Sequence, residues 1–401
     1  MRSYTRIGLL ALTSTWLLST NVGAADVKLG FTGPLTGPSG SLGQQLVSGI
    51  ELGFTAINDA QTLPFSLSVL AKDDGYEPSQ TPSLIKNMVL NDNIVGLVSS
   101  VGTPTAVSAF PILKEFKLPL IAPYTGSSLL EQEDVKPFIF THRPSYHDEA
   151  NLLASTIVQD LGIQPSEVAV YIQKDSYGEI TLRSLTDALK SYGLKHANEL
   201  MQIHYVRNQP NTAHAVAQIL SRPTAPKAIF LISTFPAAEE LITMLDQVGV
   251  SPTFAAFSFV SHDMFKGRLA ATQAKVLSSQ MHPCMNNSED NSVFHRLVQD
   301  VNTYTPSVEV SSAVFEGYRA AYYIYDVLKF ANLKTAPTRK EFLNALSRYE
   351  FSHKHDKSNT NLVSNSRNNG TQLWLKWYNY KTQQEFCGTS LSKELFRTAN
   401  E

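Results

Sequence analysis

VKLGFTGPLTGPSGSLGQQLVSGIELGFTAI, residues 27–57, is the stretch whose periodicity decides the fold. Apolar residues alternate from Val27 to Thr32 and give way to Gly33-Pro34-Leu35-Thr36-Gly37-Pro38-Ser39-Gly40, the pattern of a strand entering a loop. From Gln44 the spacing changes. Leu46, Ile50, Phe54 and Ile57 recur at four, four and three residues, which is one face of a helix. Outward from this β-loop-α unit, Phe65, Leu67, Val69 and Ala71 alternate as a second strand. It closes at the turn Asp73-Asp74-Gly75, and Pro78 stops regular pairing. A helix over 83–90, a strand over 94–98, a helix over 106–116, a strand over 118–122 and an extended piece over 138–141 follow. Strands alternating with helices predict a parallel sheet covered on both faces.

A second series has helices over 148–161, 180–192, 213–220 and 237–248, and strands over 168–172, 201–205, 228–232, 253–257 and 274–279. The alternation thus runs twice, predicting an α/β protein of two Rossmann-like lobes with parallel sheets. The tail shows helical patterns over 293–301, 314–330 and 339–349, then a polar stretch over 352–369. After the tight-turn signal Asn369-Gly370, the alternation Leu373, Leu375, Trp377 predicts a hairpin-like ending.

At the N-terminus, Arg2 and Arg6 precede an apolar run over 7–18 and the small-residue exit Val22-Gly23-Ala24-Ala25. This layout predicts a cleavable signal peptide over 1–25 and export to the periplasm, because the run is shorter than the roughly 20 residues a membrane span needs. No cysteine follows it to take a lipid. Removing 25 of 401 residues leaves 376, which fits two domains of ordinary size. The signal segment holds two of the 33 Lys and Arg and none of the 35 Asp and Glu, leaving 31 against 35 and a formal charge of −4. A mildly acidic chain without a basic block has no footprint for nucleic acid. Cys284 and Cys387 both lie in the exported part. They can pair in an oxidising compartment, stabilising by roughly 3–5 kcal/mol, or remain buried thiols, and the sequence leaves both readings open.

Enzyme signatures are missing: neither Gly-x-Ser-x-Gly nor the phosphate loop occurs, and the glycines at 33, 37 and 40 do not match the dinucleotide spacing. His142/His147 and His353/His355 come without metal-ligand spacing, so no metal and no cofactor is expected. Asp148-Glu149 reads as a helix start opposing the macrodipole. Recognition is carried by Ser99-Ser100-Val101-Gly102-Thr103-Pro104-Thr105, between an apolar strand and a helix, where hydroxyls and free backbone N–H groups suit a carboxylate. Capping alone needs one hydroxyl and this loop holds four. Pro123-Tyr124-Thr125-Gly126-Ser127-Ser128 is a second candidate, again past a strand's carboxyl end.

These segments resemble the type I periplasmic binding proteins of the leucine/isoleucine/valine-binding class. The likeness rests on Gly33-Pro34-Leu35-Thr36-Gly37-Pro38, Asp73-Asp74-Gly75-Tyr76-Glu77-Pro78, the two hydroxyl loops, Asp175-Ser176-Tyr177-Gly178 and Phe315-Glu316-Gly317-Tyr318, in that order along the chain. The resemblance implies two lobes joined by a three-crossover hinge: 26–142 with about 283–345, and 143–282 with about 346–401. It implies a non-enzymatic monomer that closes on a small molecule, serves an ABC permease and touches the membrane only through that partner. A sensing module for a membrane signalling protein is the alternative, and an exported hydrolase using Ser100 a remote one. By position, Ser99, Ser100, Gly102 and Thr103 would hold a ligand carboxylate, with Tyr124, Thr125 and Gly126 beside it. Leu42 would stand at a wall, and Tyr177, Phe235 and Phe257 would approach from the second lobe. Amino-acid binders of the class pair the ligand's ammonium with a second-lobe carboxylate. Here Phe257-Ser258-Phe259-Val260 has none before Asp263. A buried ammonium without countercharge is costly, so an aromatic or other carboxylic acid is expected ahead of a branched-chain amino acid.

Overall fold

In the computed structural model, residues 26–141, 143–260, 262–265, 267–284, 292–353 and 373–390 are described. The expected signal segment, His142, His355 and the turn at Asn369-Gly370 lie outside them. The first sheet contains β1 (Asp26–Gly33), β2 (Ser66–Asp73), β3 (Gly96–Val98), β4 (Leu120–Ile121) and β5 (Ile139–Phe140), all parallel in the order β2-β1-β3-β4-β5. Along each strand successive side chains part to opposite faces. Leu97, Leu120 and Ile139 pack under α2 (Thr81–Asn91) and α3 (Thr103–Phe116), while Val98, Ile121 and Phe140 join the core beneath α1 (Gly40–Asp59).

The second sheet is built after α4 (Tyr146–Ser155). It contains β6 (Val168–Gln173), β7 (Met201–Tyr205), β8 (Ala228–Ile232), β9 (Thr253–Ala256) and β10 (Lys275–Gln280), all parallel. The helices α5 (Ser176–Lys190), α6 (Thr212–Leu220) and α7 (Phe235–Gln247) alternate with these strands. A terminal hairpin of β11 (Trp374–Asn379) and β12 (Gln384–Gly388) adds antiparallel to β10, giving the order β12-β11-β10-β9-β8-β6-β7. The second sheet is therefore mixed at one edge rather than wholly parallel.

Between β10 and β11 the chain returns to the first sheet as α8 (Ser292–Tyr304), α9 (Ser312–Ala331) and α10 (Arg339–His353). Glycines let α9 press its backbone against α1. A Cβ on Gly49 would come within 2.1 Å of the Val314 carbonyl, and one on Gly317 within 2.1 Å of the Leu46 carbonyl. The boundary expected near 345 falls inside α10, whose Phe342, Leu346 and Tyr349 continue one apolar face into the same core. Arg339 ties the start of this helix to the carbonyls of Ile94 and Phe116. The whole excursion is closed by a disulfide, Cys284 to Cys387, with Cα atoms 5.7 Å apart.

Candidate functional site

The chain crosses between the sheets three times, after β5, β10 and α10, and the carboxyl ends of both sets of parallel strands meet at one cleft. Past β3, Ser99 takes a left-handed conformation (φ 52°) and Gly102 has φ 98°, which turns the chain sharply into α3 with Pro104 in its first turn. Gly102 is also required by space, since a Cβ there would lie 2.2 Å from the ring of Tyr76. Two hydroxyls of this loop bond to hydroxyls of neighbouring segments. Ser100 accepts from Thr32 at 3.1 Å, Thr103 and Thr125 share a bond of 2.7 Å, and Thr125 and the Tyr146 hydroxyl one of 3.2 Å. Ser100 thus meets another hydroxyl rather than an imidazole.

From the first sheet come Tyr76 and Tyr124; from the second come Tyr146, Tyr177, Phe257 and Phe259. None of the six is more than 2% exposed. Phe259 is central, its ring centroid 5.9 Å from Tyr76, 5.7 Å from Tyr124 and 5.1 Å from Tyr177. Tyr146 adds contacts at 5.4 Å to Tyr177 and 6.3 Å to Phe257. The Tyr124 hydroxyl donates to the Ser258 carbonyl at 3.3 Å, linking the two sides directly. Gly126 accepts from the Tyr146 amide. The structure therefore gathers Tyr124, Thr125, Gly126, Tyr177 and Phe257 with the hydroxyl loop. Leu42 is buried in the first turn of α1. Phe235 is a correction: it packs on Phe265 with Arg268 over its ring, in the core on the opposite face of the second sheet. The turn holding Phe265 draws it there, away from the aromatic cluster.

Two titratable groups that sequence reasoning did not place lie beside these rings. Arg143 follows β5, its guanidinium carbon 4.0 Å from the Tyr124 ring centre, and donates to the Ser258 hydroxyl at 2.7 Å. Glu149, in α4, is wholly buried and accepts from the Ser258 amide at 2.7 Å, the Ser258 hydroxyl at 3.0 Å and the Ser279 hydroxyl at 2.5 Å. Asp148 and Glu149 both lie in the first turn of α4, as expected, and Asp148 in addition forms a capping box with Ser145. Burial raises the Glu149 pKa, against the pull of Arg143 and of those three bonds. Burial also works against charge on Arg143, but Glu316, 3.5 Å away, and then Tyr124 and Glu149 outweigh it and raise its pKa. Asp263 instead accepts from Ser312 and pairs with Lys376, and Glu179 faces solvent.

At the rim, Arg207 joins Asp175 of its own side (2.8 Å) to Glu77 of the other (3.1 Å), and Asn208 donates to Glu77 at 2.8 Å and to the Gly75 carbonyl at 3.0 Å. Beneath them Gln173 donates to the Tyr76 hydroxyl at 3.2 Å. These bonds hold the two lobes together in a closed arrangement.

Residues 26–371 match the family model described as periplasmic binding protein. The chain belongs to this family, and to its leucine/isoleucine/valine-binding type. An amino acid binding protein of Pseudomonas aeruginosa is 25% identical over 247 residues, 61% of this chain and 63% of that one. The chain thus spans less than two thirds of this curated relative's length. The solved structure of a possible leucine/isoleucine/valine-binding protein from Rhodopirellula baltica is 25% identical, with a TM-score of 0.80 over 94% of this chain and 99% of that one. An ABC transporter solute-binding protein from R. palustris, solved with benzoate, shares the fold at 16% identity, with a TM-score of 0.73 over 91% of this chain and 95% of that one.

For this periplasmic binding protein, sequence reasoning missed Tyr76, Tyr146, Phe259, Arg143 and Glu149. One signal was available: Arg143 is a charged residue three positions after a buried strand, at the point where the β/α series restarts.

Proposed function

We propose that this protein is exported, captures a small carboxylate-bearing solute with an apolar or aromatic body between its lobes, and presents the closed form to an ABC permease as a monomer, without chemistry on the solute. The observation that carries the choice of solute is the state of Glu149. It is a buried second-lobe carboxyl beside the aromatic cluster that already accepts three bonds from Ser258 and Ser279, with Arg143 near it. An α-ammonium would have to displace these partners, whereas an acid lacking the amine would not. Six buried rings and the hydroxyl loop at the start of α3 suit the rest of such a ligand.

Thermal unfolding of the mature protein, stripped of co-purified ligand, against aliphatic acids, aromatic acids, amides and amino acids tests this reading. A ligand at about 100 times its dissociation constant adds roughly 2.7 kcal/mol. Melting should rise with acids and not with amino acids; a rise with leucine or isoleucine alone would sink the choice of solute.

A further inference from the structure

We infer that Arg143 is the cationic anchor that a ligand carboxylate meets in this cleft, an assignment that rests on the solute-binding reading above. Its side chain is 2% exposed, at the first crossing between the sheets. A guanidinium offers five N–H donors in a fixed plane and accepts nothing. Arg143 places one of them, from Nη2 to the Ser258 hydroxyl. Its Nη1 stands 3.5 Å from Glu316 without a hydrogen bond, and its Nε has no acceptor either.

The neighbouring acids do not account for these donors. Arg143 and Arg319 lie near Glu149 and Glu316, two bases beside two acids in one buried group. Glu149, however, accepts its three bonds from Ser258 and Ser279, two at Oε2 and one at Oε1, and none from Arg143. Arg143 therefore has acids beside it but is unsatisfied in hydrogen bonding, a costly condition for a buried donor. The Tyr177 hydroxyl, in the same ring cluster, is buried without a partner as well. What both lack is an acceptor.

A carboxylate fits that need better than an amide. It brings two oxygens and no donor, and it pairs with the planar guanidinium through charge-assisted bonds. A primary amide brings one oxygen, and its N–H groups would confront the donors of Arg143. Tyr124, under the guanidinium, and Phe259 beyond it would receive the apolar body. Lysine, with a compact point charge, would not reproduce the planar match.

Calorimetric titration with benzoate and with isovalerate, each against its primary amide, tests the assignment. Wild-type protein should prefer an acid over its amide by about 30-fold or more, and Arg143→Lys should keep only part of that preference. Because removing Arg143 alone strands two buried carboxylates, the decisive variant is the charge-balanced Arg143→Gln/Glu316→Gln, in which the preference should fall to within about threefold. A folded double variant that keeps the preference, or wild-type protein that binds acid and amide alike, overturns the role of Arg143 and leaves the solute-binding reading standing. If the double variant does not fold, Arg143→Lys decides: an acid preference equal to that of the wild type overturns the role of Arg143, and a reduced one supports it. Binding of none of these probes, nor of any amino acid, would remove both.

Discussion

Removing the side chains of Arg207 and Asn208 should weaken the binding of every ligand. The bonds lost between the lobes are Arg207 to Glu77 at 3.1 Å, Asn208 to Glu77 at 2.8 Å and Asn208 to the Gly75 carbonyl at 3.0 Å. Arg207 and Glu77 are 18% and 37% exposed, which puts their ion pair at the low end of the range, about 0.5–1 kcal/mol. The two Asn208 bonds contribute roughly 0.5–1.5 kcal/mol each. Together the clasp favours the closed form by about 1.5–4 kcal/mol, and each 1.4 kcal/mol is tenfold, so the double variant Arg207→Ala/Asn208→Ala should raise Kd by roughly 10- to 700-fold. The Arg207 guanidinium also lies 5.8 Å from the Tyr76 ring centre, whereas the Asn208 side chain bonds, among the described residues, only to Gly75 and Glu77. The effect of Asn208→Ala should therefore run through the open–closed equilibrium and be the same for all ligands. Titration calorimetry with two chemically different ligands measures it, and Asn208→Ala alone, which spares the Arg207–Asp175 bond, isolates the inter-lobe part. An unchanged Kd, or losses differing between the ligands by more than a few fold, would refute the reasoning.

Gly102→Ala should cost about 1–3 kcal/mol in chemical unfolding and lower affinity, since the position combines φ 98° with a Cβ 2.2 Å from the Tyr76 ring; an unaffected protein would mean that this turn relaxes freely. Reducing the Cys284–Cys387 bridge, which spans 103 residues, should lower stability by on the order of 3–5 kcal/mol, read as a shifted denaturant midpoint with and without reductant, and coincident midpoints would contradict it. Asp74 gives a pH prediction. Burial lifts its pKa from 3.8 to about 6, although the Tyr76 amide and the Thr81 hydroxyl both donate to it. The folded state then holds the proton more tightly than the unfolded one, so stability present below pH 4 is lost as pH rises through 6. Asp74→Asn keeps the Tyr76 bond at its oxygen and turns its Nδ2 to donate to the Thr81 hydroxyl, and it should be more stable than the parent by about 1–3 kcal/mol at pH 7.5, the gap closing near pH 4; a gap that does not change with pH would refute it.

The strands and helices were legible because each is written in a local period. The apolar run over 168–172 and the alternation over 201–205 became β6 and β7, and the four-four-three spacing from Leu46 became α1. The hydroxyl loops followed from the same reading, because in a β/α series the loop after a strand's carboxyl end has nowhere else to go. Convergence was not legible. Tyr76, Tyr146 and Phe259 come from three segments, each unremarkable among its neighbours, and only the folded chain stacks them. Phe235 shows the converse: it stands at a loop-to-helix entry like Tyr177, yet Phe265 holds it on the other face.

The ligand argument changes its premise for the same reason. Phe257-Ser258-Phe259 carries no acid, and from the local sequence the second lobe seemed to lack a countercharge. A carboxyl group does reach Ser258, but from Glu149, 109 residues earlier in the chain, and it arrives hydrogen-bonded to Ser258 and Ser279, with Arg143 near it. Discrimination against an ammonium then depends on how firmly those partners keep Glu149, and not on the absence of a carboxylate. Replacing Arg143 would act on both ends of a zwitterion at once, loosening the hold on a ligand carboxylate while freeing an acid for an amine. The acid-to-amino-acid ratio in an Arg143 variant therefore reports on the two roles together, and the acid-to-amide ratio separates them, since neither of those probes carries an ammonium.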